Sequence, residues 1–181
     1  MNKVVKSVLA STVFVVASLP ALSFANVVDV SHAPKAITLI DNSLNFGAKF
    51  GNGLKNGTFA DKFTFSLTDS YRAEAIVSSI SSSAANGLAL TGFGLYNNAG
   101  LVASGVQQST GVRDVWYIPT ASLSSGNYWL QVQGYVVSNT SGSFGGNVNI
   151  TPVPEPETYG LMLAGLGVMG LVARRRKANI A

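Results

Sequence analysis

The chain has one histidine, His32, and no cysteine, so its possible nucleophile and base pairs reduce to a serine with that histidine or to carboxylates alone. Neither G-x-S-x-G nor H-E-x-x-H occurs. His32 stands beside Ala33-Pro34 near the start of the polar region and is expected to be an exposed loop residue. Asp61, Asp69, Glu74 and Asp114 could meet in space as an acid and base pair for glycoside hydrolysis, but nothing in their spacing points to it. The expectation is a protein that is not an enzyme and carries no cofactor.

Two groups of residues have the chemistry to bind. Asp61 falls in "FADKFTFSL", where alternation puts it on one strand face with Phe59, Phe63, Phe65 and Leu67. A carboxylate there needs donors or a cation to offset its desolvation. The main expectation is backbone N–H groups from a loop, or a lysine. The alternative is a calcium ion shared with Asp41, Asp69 or Asp114, although no D-x-D-x-D loop is present. The second group lies in "GNYWLQVQGYV", where Tyr128, Leu130, Val132, Gly134 and Val136 share one face. Trp129, Gln131, Gln133 and Tyr135 take the other, an aromatic and amide row able to stack on sugar rings and bond their hydroxyls. The competing reading of that row is cross-strand pairing on the outside of a sheet.

The elements that position these residues are strands. "LALTGFGLYNNAGLVASG" reads as strand, turn at Asn97 to Gly100, and returning strand. Ser78 to Gly87 and Ser138 to Gly142 read as loops. Short strands, glycine-rich turns and no long helical period predict a single antiparallel β-sandwich over residues 26–150. That length suits one hydrophobic core, and without cysteine its stability must come from packing.

Both ends are of another kind. Lys3 and Lys6, the apolar stretch Val8 to Leu19, and the small residues Ser23 and Ala25 have the order of a signal peptide cut after Ala25 by signal peptidase. At the other end Pro152, Pro154 and Pro156 predict an extended linker over 151–158. Tyr159 to Ala173 is uncharged and is expected as a short transmembrane helix. Residues 174–181, with Arg174, Arg175, Arg176 and Lys177, then form a basic cytoplasmic tail. The net charge of +4 belongs to these ends, because the charges between Asn26 and Ile150 cancel. A basic face for nucleic acid is therefore not expected.

Val153-Pro154-Glu155-Pro156, the apolar run and the Arg-Arg-Arg-Lys cluster together resemble the bacterial PEP-CTERM sorting signal. The resemblance implies an inner-membrane precursor in a Gram-negative bacterium, processed by exosortase and passed to the cell surface or extracellular matrix among exopolysaccharide. Phe59, Asp61 and Phe63, with Gly126-Asn127-Tyr128-Trp129-Leu130 and Gly142-Ser143-Phe144 downstream, are similar to the FxDxF group of PEP-CTERM proteins. "DKFTFSL", "GLYNNAG" and "SSGNYWLQVQG" are further similar to the pre-peptidase C-terminal β-sandwich, which implies a jelly-roll-like fold and no activity. Asn56-Gly57-Thr58, Asn139-Thr140-Ser141 and Asn149-Ile150-Thr151 fit the N-glycosylation pattern, but in a bacterial chain they are expected to be unmodified.

Overall fold

A computed structural model describes residues 27–153 and 156–178. The expected signal peptide, with Ser23 and Ala25, lies outside the described residues, as do Pro154 and Glu155 of the sorting signal. In chain order the elements are β1 (Lys35–Ala36), β2 (Ser43–Phe50), β3 (Thr58–Leu67), β4 (Tyr71–Ile80), β5 (Leu88–Asn97), β6 (Gly100–Ser104), β7 (Val106–Ser109), β8 (Arg113–Leu123), β9 (Gly126–Val136), β10 (Gly142–Pro152) and α1 (Pro156–Ala178).

The strands form two five-stranded sheets, ordered β1-β3-β9-β5-β6 and β2-β10-β4-β8-β7. Most connections cross from one sheet to the other, which gives the sandwich its jelly-roll-like character. Every pairing is antiparallel except β1 with β3, where Lys35 opposes Phe63 and Ala36 opposes Thr64 in parallel. Such a short parallel edge leaves no periodic signal in the sequence.

Period-two alternation sets the core. Along β3 every second side chain from Phe59 to Leu67 is buried, and Lys62, Thr64 and Ser66 face out. Along β9 the expected face of Tyr128, Leu130, Val132, Gly134 and Val136 is the buried one. Phenylalanines from both sheets meet between them: Phe59 stacks on Phe144 with ring centroids 5.8 Å apart, and Phe50 lies 4.5 Å from Phe59. Inside a sheet-on-sheet core such offset pairs add to the area they bury.

The turn at Asn97 to Gly100 forms where expected, with the Ala99 N–H donating to the Asn97 side chain at 2.9 Å and Gly100 at φ 127°. The two expected loops are shorter than the sequence implied. Strand β4 runs on through Ile80, and β10 begins at Gly142.

The C-terminal expectation needs correction in two respects. Strand β10 continues past Ile150 to Pro152, and Pro156 opens the helix where an extended linker was expected to persist. Proline is favoured in the first helical turn, where its missing N–H would have no partner anyway, and Glu157 beside it suits the positive helix end. The helix also runs beyond Ala173 through the arginine cluster to Ala178, because arginine and lysine are good helix formers placed at the negative end. Among the described residues no helix is long and apolar enough to cross a membrane. Its uncharged run, Tyr159 to Ala173, spans only about 22 Å against about 30 Å of hydrocarbon, with Glu157 and Arg174 at its limits. The expected transmembrane span is therefore not met: α1 is a 23-residue helix whose uncharged stretch is too short for it.

Candidate functional site

Strand β3 carries Asp61 on its inner face, 1% exposed. The segment preceding β1 passes over it. The Val30 N–H donates to the Thr58 carbonyl at 2.9 Å, and the Ala60 N–H donates to the Ser31 hydroxyl at 2.8 Å. His32 then supplies both donors that the carboxylate receives. Its backbone N–H reaches Oδ1 at 2.7 Å, and its ring Nδ1 lies 2.9 Å from Oδ2. The ring packs edge-on against Phe50, with centroids 4.8 Å apart.

The loop N–H expected for Asp61 is thus present, but the second partner is a histidine that the sequence marks only as an exposed loop residue. His32 remains about half exposed, yet its ring is fixed by its contact with Asp61. No local spacing could have joined it to a carboxylate so far along the chain. The calcium alternative is not assembled. Among the described residues no group of three His, Asp or Glu side chains comes together, and the partners considered for Asp61 have other roles. Asp41 sits in a turn at φ 49°, Asp69 accepts from the Thr68 hydroxyl at 2.8 Å, and Asp114 is buried in β8.

The sequence suggests Asp114 only as a residue that could meet other carboxylates, and its actual work is structural. It accepts the N–H of Leu90 at 2.7 Å and that of Gly111 at 2.8 Å, while the neighbouring Trp116 indole donates to the Leu90 carbonyl at 3.1 Å. Leu90 lies at a bulge in β5, before the stretch that pairs with β6. Two β8 side chains therefore satisfy both polar groups of a backbone unit that a sheet neighbour leaves unpaired. Glu74 takes the Thr120 hydroxyl on the outer face of the second sheet. Asp61, Asp69, Glu74 and Asp114 each have a hydrogen-bond partner of their own.

The aromatic row of β9 lies on the outer face of the first sheet, as alternation required. Trp129 is directly opposite Tyr96 on β5 and lies parallel to it, with centroids 5.7 Å apart at 8°. The ammonium of Lys62 on β3 stands 5.9 Å from the same indole. Neighbours on both adjacent strands therefore occupy the ring, and its Nε1 is buried without a protein partner. Gln131 and Gln133 instead border a hollow of about 250 Å³ over Gly92 and Gly94. Tyr135, 42% exposed, has Thr58 and Ala89 as its strand neighbours. Cross-strand pairing is the arrangement found.

Phe59, Asp61 and Phe63 act together in the fold, since the two rings fill the core and the carboxylate between them clasps the N-terminal segment. At the far end the fold holds the chain as far as Val153, whose N–H donates to the Ser70 carbonyl at 3.1 Å. Helix α1 carries Arg174 and Arg175 exposed near its end, with Arg176 and Lys177 following within it.

A family profile for the PEP-CTERM protein-sorting motif matches residues 152–177. The match begins at the last residue of β10 and covers the helix with its basic end. That motif implies an exported precursor held at the membrane and processed by an exosortase. Among solved structures, the chain is similar to the pre-peptidase C-terminal domain of collagenase from Bacillus anthracis, at 17% identity with a TM-score of 0.39. The similarity covers 65% of this chain and 95% of that domain. No curated protein matches the chain.

Proposed function

We propose that this chain is a non-enzymatic surface or extracellular-matrix protein of a Gram-negative bacterium, delivered and cut through its C-terminal sorting motif and retained among exopolysaccharide. One observation carries the reading: the matched motif starts where the sandwich ends, at Pro152. Everything the core needs lies upstream of it, so removal of the tail leaves a closed domain. Helix α1, with its arginines at its C-terminal end, serves as the part of the precursor that the sorting machinery engages. The FxDxF assignment rests on Phe59, Asp61 and Phe63 and bears on kinship within such proteins, with no chemistry attached. Support for a non-enzymatic domain comes from Asp61, Asp69, Glu74, Asp114 and His32, each of which has a structural partner.

Intact mass and cell fractionation, in cells with and without their exosortase, test this reading. The expected mature chain lacks residues 1–25 and ends near Val153 to Pro156 only when the enzyme is present, and it leaves the inner membrane. A chain still ending at Ala181 and sedimenting with the inner membrane in both strains would overturn it.

A further inference from the structure

The outer face of the second sheet carries a trough that the sorting role does not use. Strand register puts Gly47 of β2, Gly145 of β10 and Ser78 of β4 in one row, so a band without large side chains crosses three adjacent strands. The flanking rows are taller. On one side Lys49 stands opposite Ser143, with Ile80 on the next strand and Arg113 opposite Ile80. On the other side Asn147, Ile76 and Tyr117 run across in register. Side chains on one face recur every second residue, so the two walls stand about 13 Å apart. The hollow over the glycines, on the Lys49 and Ile80 side, has a volume of about 520 Å³.

The two floor glycines differ in what demands them. A Cβ at Gly47 would come within 2.7 Å of the Phe144 carbonyl, so the packing of β2 on β10 itself requires glycine there. A Cβ at Gly145 would meet nothing nearer than the Phe46 carbonyl at 4.0 Å, and its φ is not positive. Glycine inside a strand weakens it, and neither packing nor conformation calls for one at this position. What the bare position provides is close approach to the β10 backbone at the centre of the trough.

The walls suit one kind of occupant. Ile76 and Ile80 are 45% and 70% exposed, flat aliphatic surfaces on either side of Ser78. Lys49 and Arg113 stand at the two ends of one wall, and among the described residues neither makes a salt bridge. Within these strands the outward carboxylate is Glu74, one row beyond the opposite wall and bonded to Thr120. The trough thus joins positive charge, hydroxyl and amide groups, and apolar ledges along an open line.

We propose that this trough binds an extended acidic polysaccharide. The polymer lies across β2, β10 and β4, with carboxylates at Lys49 and Arg113, hydroxyls at Ser143 and the Asn147 amide oxygen, and C–H faces on Ile76 and Ile80. The identity of the occupant rests on the proposed surface location of the chain; the trough itself does not.

Affinity electrophoresis of the full chain, in native gels cast with a polyuronate, with uncharged dextran or with no polymer, tests the proposal. Retardation is expected in the polyuronate gel alone, weakening as salt screens the two cations. Gly145→Thr is expected to keep or raise the urea midpoint, since threonine suits a strand, while weakening polyuronate affinity by about tenfold or more. Lys49→Gln is expected to reduce the salt-sensitive part. No retardation of the wild type, or equal retardation of Gly145→Thr, would overturn the proposal, and equal retardation in dextran would overturn the acidic assignment. A concentration-dependent rise in mass that Gly145→Thr abolishes, without polymer retardation, would make the occupant a second copy of the chain. Polyuronate binding by a chain that exosortase never processes would refute the surface reading and leave the trough standing; a processed chain that is not retarded would do the reverse.

Discussion

Asp61 receives two hydrogen bonds from a single residue, His32, one from its backbone N–H at 2.7 Å and one from its ring at 2.9 Å. Through that pair the segment before β1 is fastened to the inner face of β3, and the buried carboxylate is left with no unmet need for donors. The order of the N-terminal segment therefore depends on a side chain on the inner face of β3.

Removing one partner separates the two bonds. His32→Ala keeps the backbone donor and loses the ring, so urea unfolding is expected to show a loss of about 1–2 kcal/mol. Asp61→Ala leaves the His32 N–H without its acceptor and opens a gap between Phe59 and Phe63, and the expected loss is larger, about 2–4 kcal/mol. Equal stabilities for wild type and Asp61→Ala would show that the clasp contributes nothing.

The same pair sets the expectation for metal. With Oδ1 and Oδ2 of Asp61 both engaged by His32, and Asp69 and Asp114 engaged elsewhere, no oxygen cage for calcium is assembled among the described residues. Melting temperatures in millimolar calcium and in excess chelator are expected to coincide. A rise of several degrees with calcium alone would mean that the carboxylates rearrange around the ion.

What could be read in advance followed local period. Phe59, Phe63, Phe65 and Leu67 alternate with polar residues, and so do Leu130, Val132 and Val136, so the inner face of the first sheet was visible without a structure. The clasp of His32 on Asp61, the hold of Asp114 on Leu90 and the pairing of Trp129 with Tyr96 are relations between distant segments, and no spacing encodes them. The trough depends on strand register, which only the assembled sheet supplies. Pro156 misled for a different reason: proline fixes φ near the helical value as readily as near the extended one, and its neighbours decide which.

Glycines inside the sheets divide by what a side chain would strike. A Cβ at Gly134 would strike the Ala89 carbonyl and lie 2.6 Å from the Phe59 ring. Gly134→Ala is therefore expected to lower stability by about 1–3 kcal/mol through overpacking. Gly145→Ala, with open space before it, is expected to change stability little or raise it. Paired urea curves decide, and equal effects at the two positions would contradict the packing described.

Trp129 gives a prediction opposite to its expected role. Because Tyr96 lies parallel to the indole and Lys62 approaches it from β3, Trp129→Ala is expected to lower stability by about 1–2 kcal/mol while leaving polysaccharide retention unchanged. Loss of retention with the urea midpoint intact would restore the β9 row as a binding surface.

Tyr117, on the wall of the trough, supplies a test by titration. Partial burial first, and the Glu74 carboxylate second, hold its phenol above the ordinary tyrosine value. A group whose acid form the fold favours stabilises the native state fully below its unfolded pKa. That contribution falls as pH rises from the ordinary value towards the raised one, because the unfolded chain releases its proton first. Glu74→Gln removes the charge and leaves partial burial, so it is expected to bring the phenol partway back and to shrink the alkaline loss of stability. Site-resolved NMR of the Tyr117 ring between neutral and strongly alkaline pH measures this directly, and an unchanged midpoint in Glu74→Gln would show that the carboxylate does not act on the wall.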